Sequence, residues 1–362
     1  VWWLGAWTLE LQRVLPARDF PDALLVLAAV TGWLAAERSR RVFDPVLAGT
    51  ACVALAAALP LAFLQAEAHQ QPFAGNGLWA WLVFAALGVR SLLCLRVGDS
   101  GFARAAQFVW WLLWPFAASL LLVQLSDRMD GGHGWSLLAA VAPWLAITAV
   151  ALLRWSWLTH PLGVTFDPMR AAFRTVCCAL LVIWWLLALG NAGNAAPLPW
   201  IALFNPLDLA QAAVLLLIAR WLWRGDAPFD ARARVPLLSA GAFLLVTVIT
   251  LRGAHHWGGV PWSGALVGSS LAQTSLTVVW SVLGVLGWVI GSRRGQRMLW
   301  LAGAVLMAIV LAKLVLVDRS HLGNLWGIGS FIAYGLLCTV VGFFAPAPPR
   351  TQTLEPEQET RV

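Results

Sequence analysis

The feature that most constrains this chain is a succession of apolar runs, most of them long enough to cross a bilayer as a helix. Such a helix needs about 20 mostly apolar residues. Short segments rich in Gly, Pro, Arg, Asp and Asn separate the runs. We predict eleven spans, at about 22–36, 46–66, 77–95, 107–125, 136–153, 171–190, 207–223, 235–251, 271–291, 298–317 and 325–345. The first is the shortest, because it lies between Asp22 and Glu37.

Within a bilayer, only helices and closed barrels satisfy every backbone polar group. A barrel would show segments of about ten residues with alternating polarity. Stretches such as 212–219 and 301–311 are instead apolar on every face. The predicted fold is therefore an all-α, polytopic transmembrane helical bundle of about 11 spans.

The composition excludes several classes of protein. Hydrophobic residues make up 60% of the chain and charged residues 11%, with a mean hydropathy of +0.76. Soluble domains are about a quarter charged. A soluble enzyme, a disordered chain and a nucleic-acid binder are thus disfavoured, and the expected partner is the lipid bilayer. Many of the 24 tryptophans fall near predicted span ends, which predicts two interfacial belts.

Basic residues are distributed unequally between the two sides of the predicted bundle. When connecting segments are assigned alternately, 18 of the 24 Lys and Arg residues fall on one side. That side is expected to be cytoplasmic, because basic residues are retained there. The prediction is therefore an N-terminus outside and a C-terminus inside. The other side carries Arg13, Arg18, Arg128, Arg252, Lys313 and Arg319.

The predicted organisation has three parts. Residues 1–21 are interpreted as the end of a preceding helix and an outer loop, residues 22–345 as the transmembrane helical domain, and residues 346–362 as a disordered cytoplasmic tail. The chain begins with Val1, and its first seven residues are apolar. We therefore expect that the N-terminal part of a longer chain is missing.

Polar residues inside predicted spans are the candidate functional residues, since each is costly in lipid. They gather at the outer ends of the last five spans, where Asn205 and Pro206 form a typical helix start. The predicted substrate-binding residues are Asp208, Gln211, Arg252, Gln273, Lys313 and Asp318.

Lys313 is the single lysine of the chain and lies about 7 Å inside the outer end of its span. Two interpretations stay open. Its side chain reaches the outer headgroups, or its ammonium faces inward and pairs with Asp208 or Asp318.

Five of the six histidines also map to the outer side. His255 and His256 are the candidate catalytic residues, because histidine transfers protons near neutral pH. A solvated loop is the alternative for each. The five cysteines all fall inside spans, and zincin, Walker, nucleophile-elbow and dinucleotide motifs are absent. No metal and no cofactor are predicted from these motifs.

Several segments resemble one known family. They are Gln273–Leu276 through Trp280, Leu299–Gly303, Lys313–Asp318, Ile328–Ile332, Gly342–Pro346, Asn205–Leu209 and the region of Arg252, His255 and His256. Together they resemble the C-terminal region of the bacterial predicted membrane proteins called domain of unknown function 2339, best over about 170–350. The resemblance implies a multi-pass protein of the bacterial inner (cytoplasmic) membrane and brings no established activity. The base that directly follows Asp318 departs from the family's usual pattern.

Three functions remain open at this point. The first is an enzyme or handler of an anionic envelope or lipid-linked substrate at an outer-face polar site, with His255 or His256 as general base. The second is a transporter of a small or lipidic solute, for which the segment around Asn191 and Asn194 would be re-entrant. The third is a structural or assembly subunit of a membrane complex. Whether the chain is an enzyme is not decided by its sequence.

Overall fold

The computed structural model describes residues 2–97, 101–224, 227–316, 328, 332 and 334–339. This part of the chain is helical and contains no strand. Its elements are α1 (Trp2–Val14), α2 (Phe20–Arg41), α3 (Pro45–Ala56), α4 (Ala58–His69), α5 (Gly77–Arg96), α6 (Gly101–Arg128), α7 (His133–Leu153), α8 (Trp155–Leu158), a 3-10 helix (Gly163–Met169), α9 (Arg170–Leu189), α10 (Pro206–Leu222), α11 (Ala231–His256), α12 (Ser270–Arg293) and α13 (Arg297–Leu316).

Nine segments of the described chain are long and apolar enough to cross a membrane. They are Phe20–Arg41, Pro45–His69, Gly77–Arg96, Gly101–Arg128, His133–Leu153, Gly163–Leu189, Ala231–His256, Ser270–Arg293 and Arg297–Leu314. The run predicted at 207–223 corresponds to the 17-residue helix α10, which is shorter than each of these nine segments. Most of the run predicted at 325–345 lies outside the described residues.

The first span is longer than predicted. α2 has 22 residues and continues past both carboxylates that were expected to bound it. Asp22 is buried and accepts a hydrogen bond from Gln65, while Glu37 forms ion pairs with Arg40 and Arg90. Because both carboxylates have protein partners, neither ends the helix.

The second predicted span is one apolar run but two helices. α3 ends at Ala56 and α4 begins at Ala58, with Ala57 between them. Pro60 has no backbone N–H and so cannot donate to the carbonyl of Ala56. The missing hydrogen bond accounts for the break.

The chain divides into two compact units, Val1–Ala242 (unit 1) and Phe243–Val362 (unit 2). The core of unit 1 is built largely from small and aromatic side chains of α2 to α9. The rings of Phe84 and Trp110 stack at 5.7 Å, and those of Trp155 and Phe166 at 5.4 Å. The large rings occupy the space beside the many alanines of this core, whose side chains are small.

The tryptophans near the predicted span ends differ in exposure. Trp79 and Trp157 are exposed, whereas Trp81, Trp155 and Trp221 are buried. The indole N–H groups of Trp81 and Trp155 donate to Gln65 and Asp167, at 2.9 Å and 2.7 Å. A buried indole usually has such a partner, and the sequence pattern did not reveal it.

In the described part of unit 2, α12 and α13 form a tightly packed pair. A side chain added at Gly303 would overlap the backbone of Gly284 and Trp288. Small residues are enriched at helix contacts in membranes because they let backbones approach closely. This close contact positions the polar ends of the two helices.

Candidate functional site

The predicted residues of unit 1 lie together on α10, whose start is as predicted. The Asn205 side chain caps the helix by accepting from the Asp208 backbone N–H at 3.0 Å, and Pro206 is its first residue. The Asp208 carboxylate accepts from the Asn205 amide and from the Leu203 N–H. Asp208 and Gln211 are both fully enclosed. The carboxylate is therefore part of the structure that begins this helix.

In unit 2, Lys313 turns its ammonium toward α12. Nζ donates to the Gln273 backbone carbonyl at 3.0 Å and to the Thr277 hydroxyl. That hydroxyl also donates to the Gln273 carbonyl, at 2.9 Å. The Gln273 side chain donates to the Val267 carbonyl. The lysine thus lies in a polar cluster at the N-terminal end of α12.

Arg252 lies at the same level of unit 2. The Trp280 indole donates to the Thr247 hydroxyl at 3.1 Å, which links α11 to α12. Measured along the helix axis from this hydrogen bond, Arg252 lies about 7.5 Å further along α11. On α12, Thr277 and Gln273 lie about 4.5 Å and about 10 Å from the same bond, towards the N-terminus of the helix. α11 and α12 run antiparallel, since Ala254 packs near Ala272. Arg252, which is completely buried, is therefore level with the partners of Lys313.

His255 has a defined orientation at the end of α11. Its Nδ1 lies 2.6 Å from the Val260 carbonyl oxygen. A carbonyl only accepts, so Nδ1 carries a proton, and in the neutral imidazole Nε2 keeps its lone pair. The ring of His256 lies 4.6 Å away and that of Trp262 lies 5.9 Å away. This hydrogen bond sets the orientation of the His255 ring.

Two other predictions have different outcomes. Asp318, a predicted partner of Lys313, lies outside the described residues. The segment 190–205, expected to be re-entrant if the chain is a transporter, contains no helix. It packs against the start of α7, where Gly132 and Gly134 donate to the carbonyls of Ala196 and Asn194. It is a structured loop.

A second polar cluster, in unit 1, was not predicted. Gln65 of α4 donates to Asp22 Oδ1 of α2 at 2.7 Å and accepts from the Trp81 indole of α5 at 2.9 Å. All three side chains are nearly or completely buried. The chain of hydrogen bonds joins three helices inside the core of unit 1.

The same cluster continues to His69, at the end of α4. His69 Nε2 lies 3.4 Å from Asp22 Oδ2, and His69 Nδ1 accepts from Arg18 Nε at 3.0 Å. Asp19, Asp22 and His69 each bring one ligand atom within 4.8 Å of the others. The signal in the sequence was Asp22 itself, a carboxylate inside an apolar run. We had interpreted it as a boundary.

The comparisons with known proteins identify a family and nothing more specific. No curated protein and no solved structure matches the chain. The model of a family described as "Predicted membrane protein (DUF2339)" matches residues 1–348. The match thus extends well beyond the C-terminal region where the resemblance was strongest. Because it covers nearly the whole sequence, this chain belongs to the family of predicted membrane proteins called domain of unknown function 2339.

Proposed function

We propose that this chain is a multi-pass protein of the bacterial inner membrane that binds an anionic, lipid-linked substrate at the polar end of unit 2. The observation that carries the proposal is the position of Lys313. Its ammonium is held between two helices by the Gln273 carbonyl and the Thr277 hydroxyl. A positive charge is costly within a span and is retained where it serves binding or transport.

The surroundings of Lys313 favour an anion. Arg252 brings a second positive charge to the same level, and guanidinium groups bind phosphate and carboxylate in a bidentate manner. α12 begins there with the Ser269 cap, so the positive end of its dipole adds to the field. The exposed apolar faces of the neighbouring helices suit the lipid tail of such a substrate.

His255 supplies the reactive group if the bound anion is also transformed. Its Nε2 is the basic nitrogen, because Nδ1 donates to Val260. We assign His255 the role of general base. His256 lies beside it, with the two rings 4.6 Å apart. Gln273 belongs to the same cluster, whereas Asp208, Gln211 and Asp318 stay predicted substrate-binding residues.

The proposed orientation places the N-terminus outside and the C-terminus in the cytoplasm. It can be tested with cysteines introduced at Asn194 and at Asp230, which are both exposed, after replacement of the five native cysteines. In intact cells, a membrane-impermeant maleimide should label Asn194→Cys and leave Asp230→Cys unlabelled. The reverse pattern would invert the topology.

The substrate class can be tested by binding of farnesyl phosphate and farnesol to the purified protein in detergent. We expect the phosphate to bind at least tenfold more tightly than the alcohol. Lys313→Met should remove most of this preference, since a hydrogen bond to a charged group contributes about 1.5–3 kcal/mol. Arg297→Met is the matched control, because Arg297 begins the same helix about 24 Å away.

Equal binding of phosphate and alcohol, or full retention of the preference in Lys313→Met, would refute the proposal. The same protein, assayed in detergent and after reconstitution into sealed vesicles, separates the three functions. A chemical change that is lost in His255→Gln indicates an enzyme, and accumulation in sealed vesicles without chemical change indicates a transporter. A fully folded Lys313→Met protein without binding would count against a purely structural role.

A further inference from the structure

We propose that Asp19, Asp22 and His69 of unit 1 form a binding site for a divalent transition-metal ion such as Zn²⁺ or Mn²⁺. The spacing of the ligand atoms is the first argument. Each residue brings one within 4.8 Å of the other two, and Asp22 Oδ2 lies 3.4 Å from His69 Nε2. In tetrahedral coordination, metal–ligand bonds of about 2.0–2.1 Å place the ligand atoms about 3.3 Å apart.

The second argument is the state of the two facing atoms. Asp22 is 4% exposed and His69 5%, and the contact of 3.4 Å between Asp22 Oδ2 and His69 Nε2 is long for a hydrogen bond. Buried polar atoms normally have closer hydrogen-bond partners. A cation bound between this oxygen and this nitrogen replaces the long contact with two metal–ligand bonds.

The rest of the cluster holds the carboxylate in place for such a ligand. Asp22 Oδ1 accepts from Gln65, which in turn accepts from the Trp81 indole. One carboxylate oxygen is therefore used by the protein, and the other points to His69. Outer hydrogen bonds of this kind orient metal ligands and are often as important as the ligands.

Arg18 competes with the metal in this arrangement. It donates to His69 Nδ1 at 3.0 Å, so in the neutral imidazole the proton is on Nε2. Metal binding at Nε2 moves the proton to Nδ1 and displaces the guanidinium. Arg18 is exposed, and exposed side chains leave such contacts at little cost.

An adjoining cavity leaves room for further ligands. It has a volume of about 340 Å³ and is lined in part by Asp19, Asp22 and Asn76. Three protein ligands beside an open space are typical of metal sites that keep a position for water or substrate. One imidazole with two carboxylates favours Zn²⁺ or Mn²⁺ over Mg²⁺.

The test is calorimetric titration of Zn²⁺ into the whole chain, purified with a tag that contains no histidine and freed of metal with a chelator. We expect the wild type to bind one Zn²⁺ per chain and His69→Gln to bind none. The affinity of Asp19→Asn for Zn²⁺ should be at least tenfold lower than that of the wild type. His133→Gln is the matched control, since His133 is exposed and hydrogen-bonded to Asn191. Arg18→Gln should bind Zn²⁺ several-fold more tightly, because the competing charge is gone.

Co²⁺ provides a second readout, since its visible absorption depends on nitrogen and oxygen coordination. The spectrum should be lost in His69→Gln and retained in His133→Gln. Asp19 is only half-buried, so Asp19→Asn tests the site without disturbing the core. The proposal is overturned if the wild type binds no Zn²⁺, or if Asp19→Asn and His69→Gln bind it as the wild type does.

Discussion

The Asp22 cluster of unit 1 and the Lys313 cluster of unit 2 are built in different ways. In unit 1, Asp22, Gln65 and Trp81 bind one another through side chains, and each is buried. In unit 2, the half-buried Lys313 binds a backbone carbonyl and a hydroxyl that already has its own helical partner. Side-chain partners are specific and costly to remove, whereas backbone carbonyls accept many donors. We therefore expect the unit 1 cluster to be rigid. We expect Lys313, in contrast, to exchange its present hydrogen-bond partners for other acceptors.

The largest effect is expected for Gln65→Leu. It leaves Asp22 Oδ1 and the Trp81 N–H buried without their hydrogen bonds, at about 1–3 kcal/mol each. The free energy of unfolding, measured by titration with denaturing detergent, should fall by about 2–6 kcal/mol. Gln124→Leu is the control, because the Gln124 side chain donates to Gln70 in an exposed hydrogen bond. A change in Gln65→Leu no larger than the control's would contradict the proposed rigidity.

Gly303→Val should have an intermediate effect. The added side chain overlaps the backbone of Gly284 and Trp288, and overpacking costs about 1–3 kcal/mol. Ala302→Val is the matched control, since Ala302 is exposed on the same helix. Equal unfolding free energies for the two variants would show that the contact between α12 and α13 is looser than described.

The smallest effect is expected for Thr277→Val. Lys313 keeps the Gln273 carbonyl, and a hydrogen bond between membrane helices contributes about 0.6 kcal/mol. Thr250→Val is the control, because the Thr250 hydroxyl donates to the Val246 carbonyl of its own helix. A loss of more than about 2 kcal/mol in Thr277→Val alone would show that the Lys313 cluster is rigid too.

Much of the helical architecture could be predicted, because apolar length follows directly from composition. The capped start of α10 at Asn205 and Pro206 is confirmed. The break at Ala57 was missed, although Pro60 lies in the middle of the run. The apolar composition of a run predicts that the run lies in lipid. The break between α3 and α4 depends instead on a single missing backbone hydrogen bond.

The polar clusters were predicted unequally for a related reason. Lys313 was conspicuous as the single lysine of the chain. Asp22 lies 43 residues from Gln65 and next to a predicted span end. Its partners come from helices that only the fold brings together, so no local pattern distinguishes this buried carboxylate from a solvated one.

The close pairing of α12 and α13 has a consequence for how this part of the chain enters the membrane. Only three residues, 294–296, connect the two helices, and Arg293, Arg294 and Arg297 surround this turn. Moving an arginine through the bilayer centre costs about 2.5–3.5 kcal/mol. In the proposed orientation, the two helices therefore insert together as a hairpin, and the arginine turn stays on the cytoplasmic side.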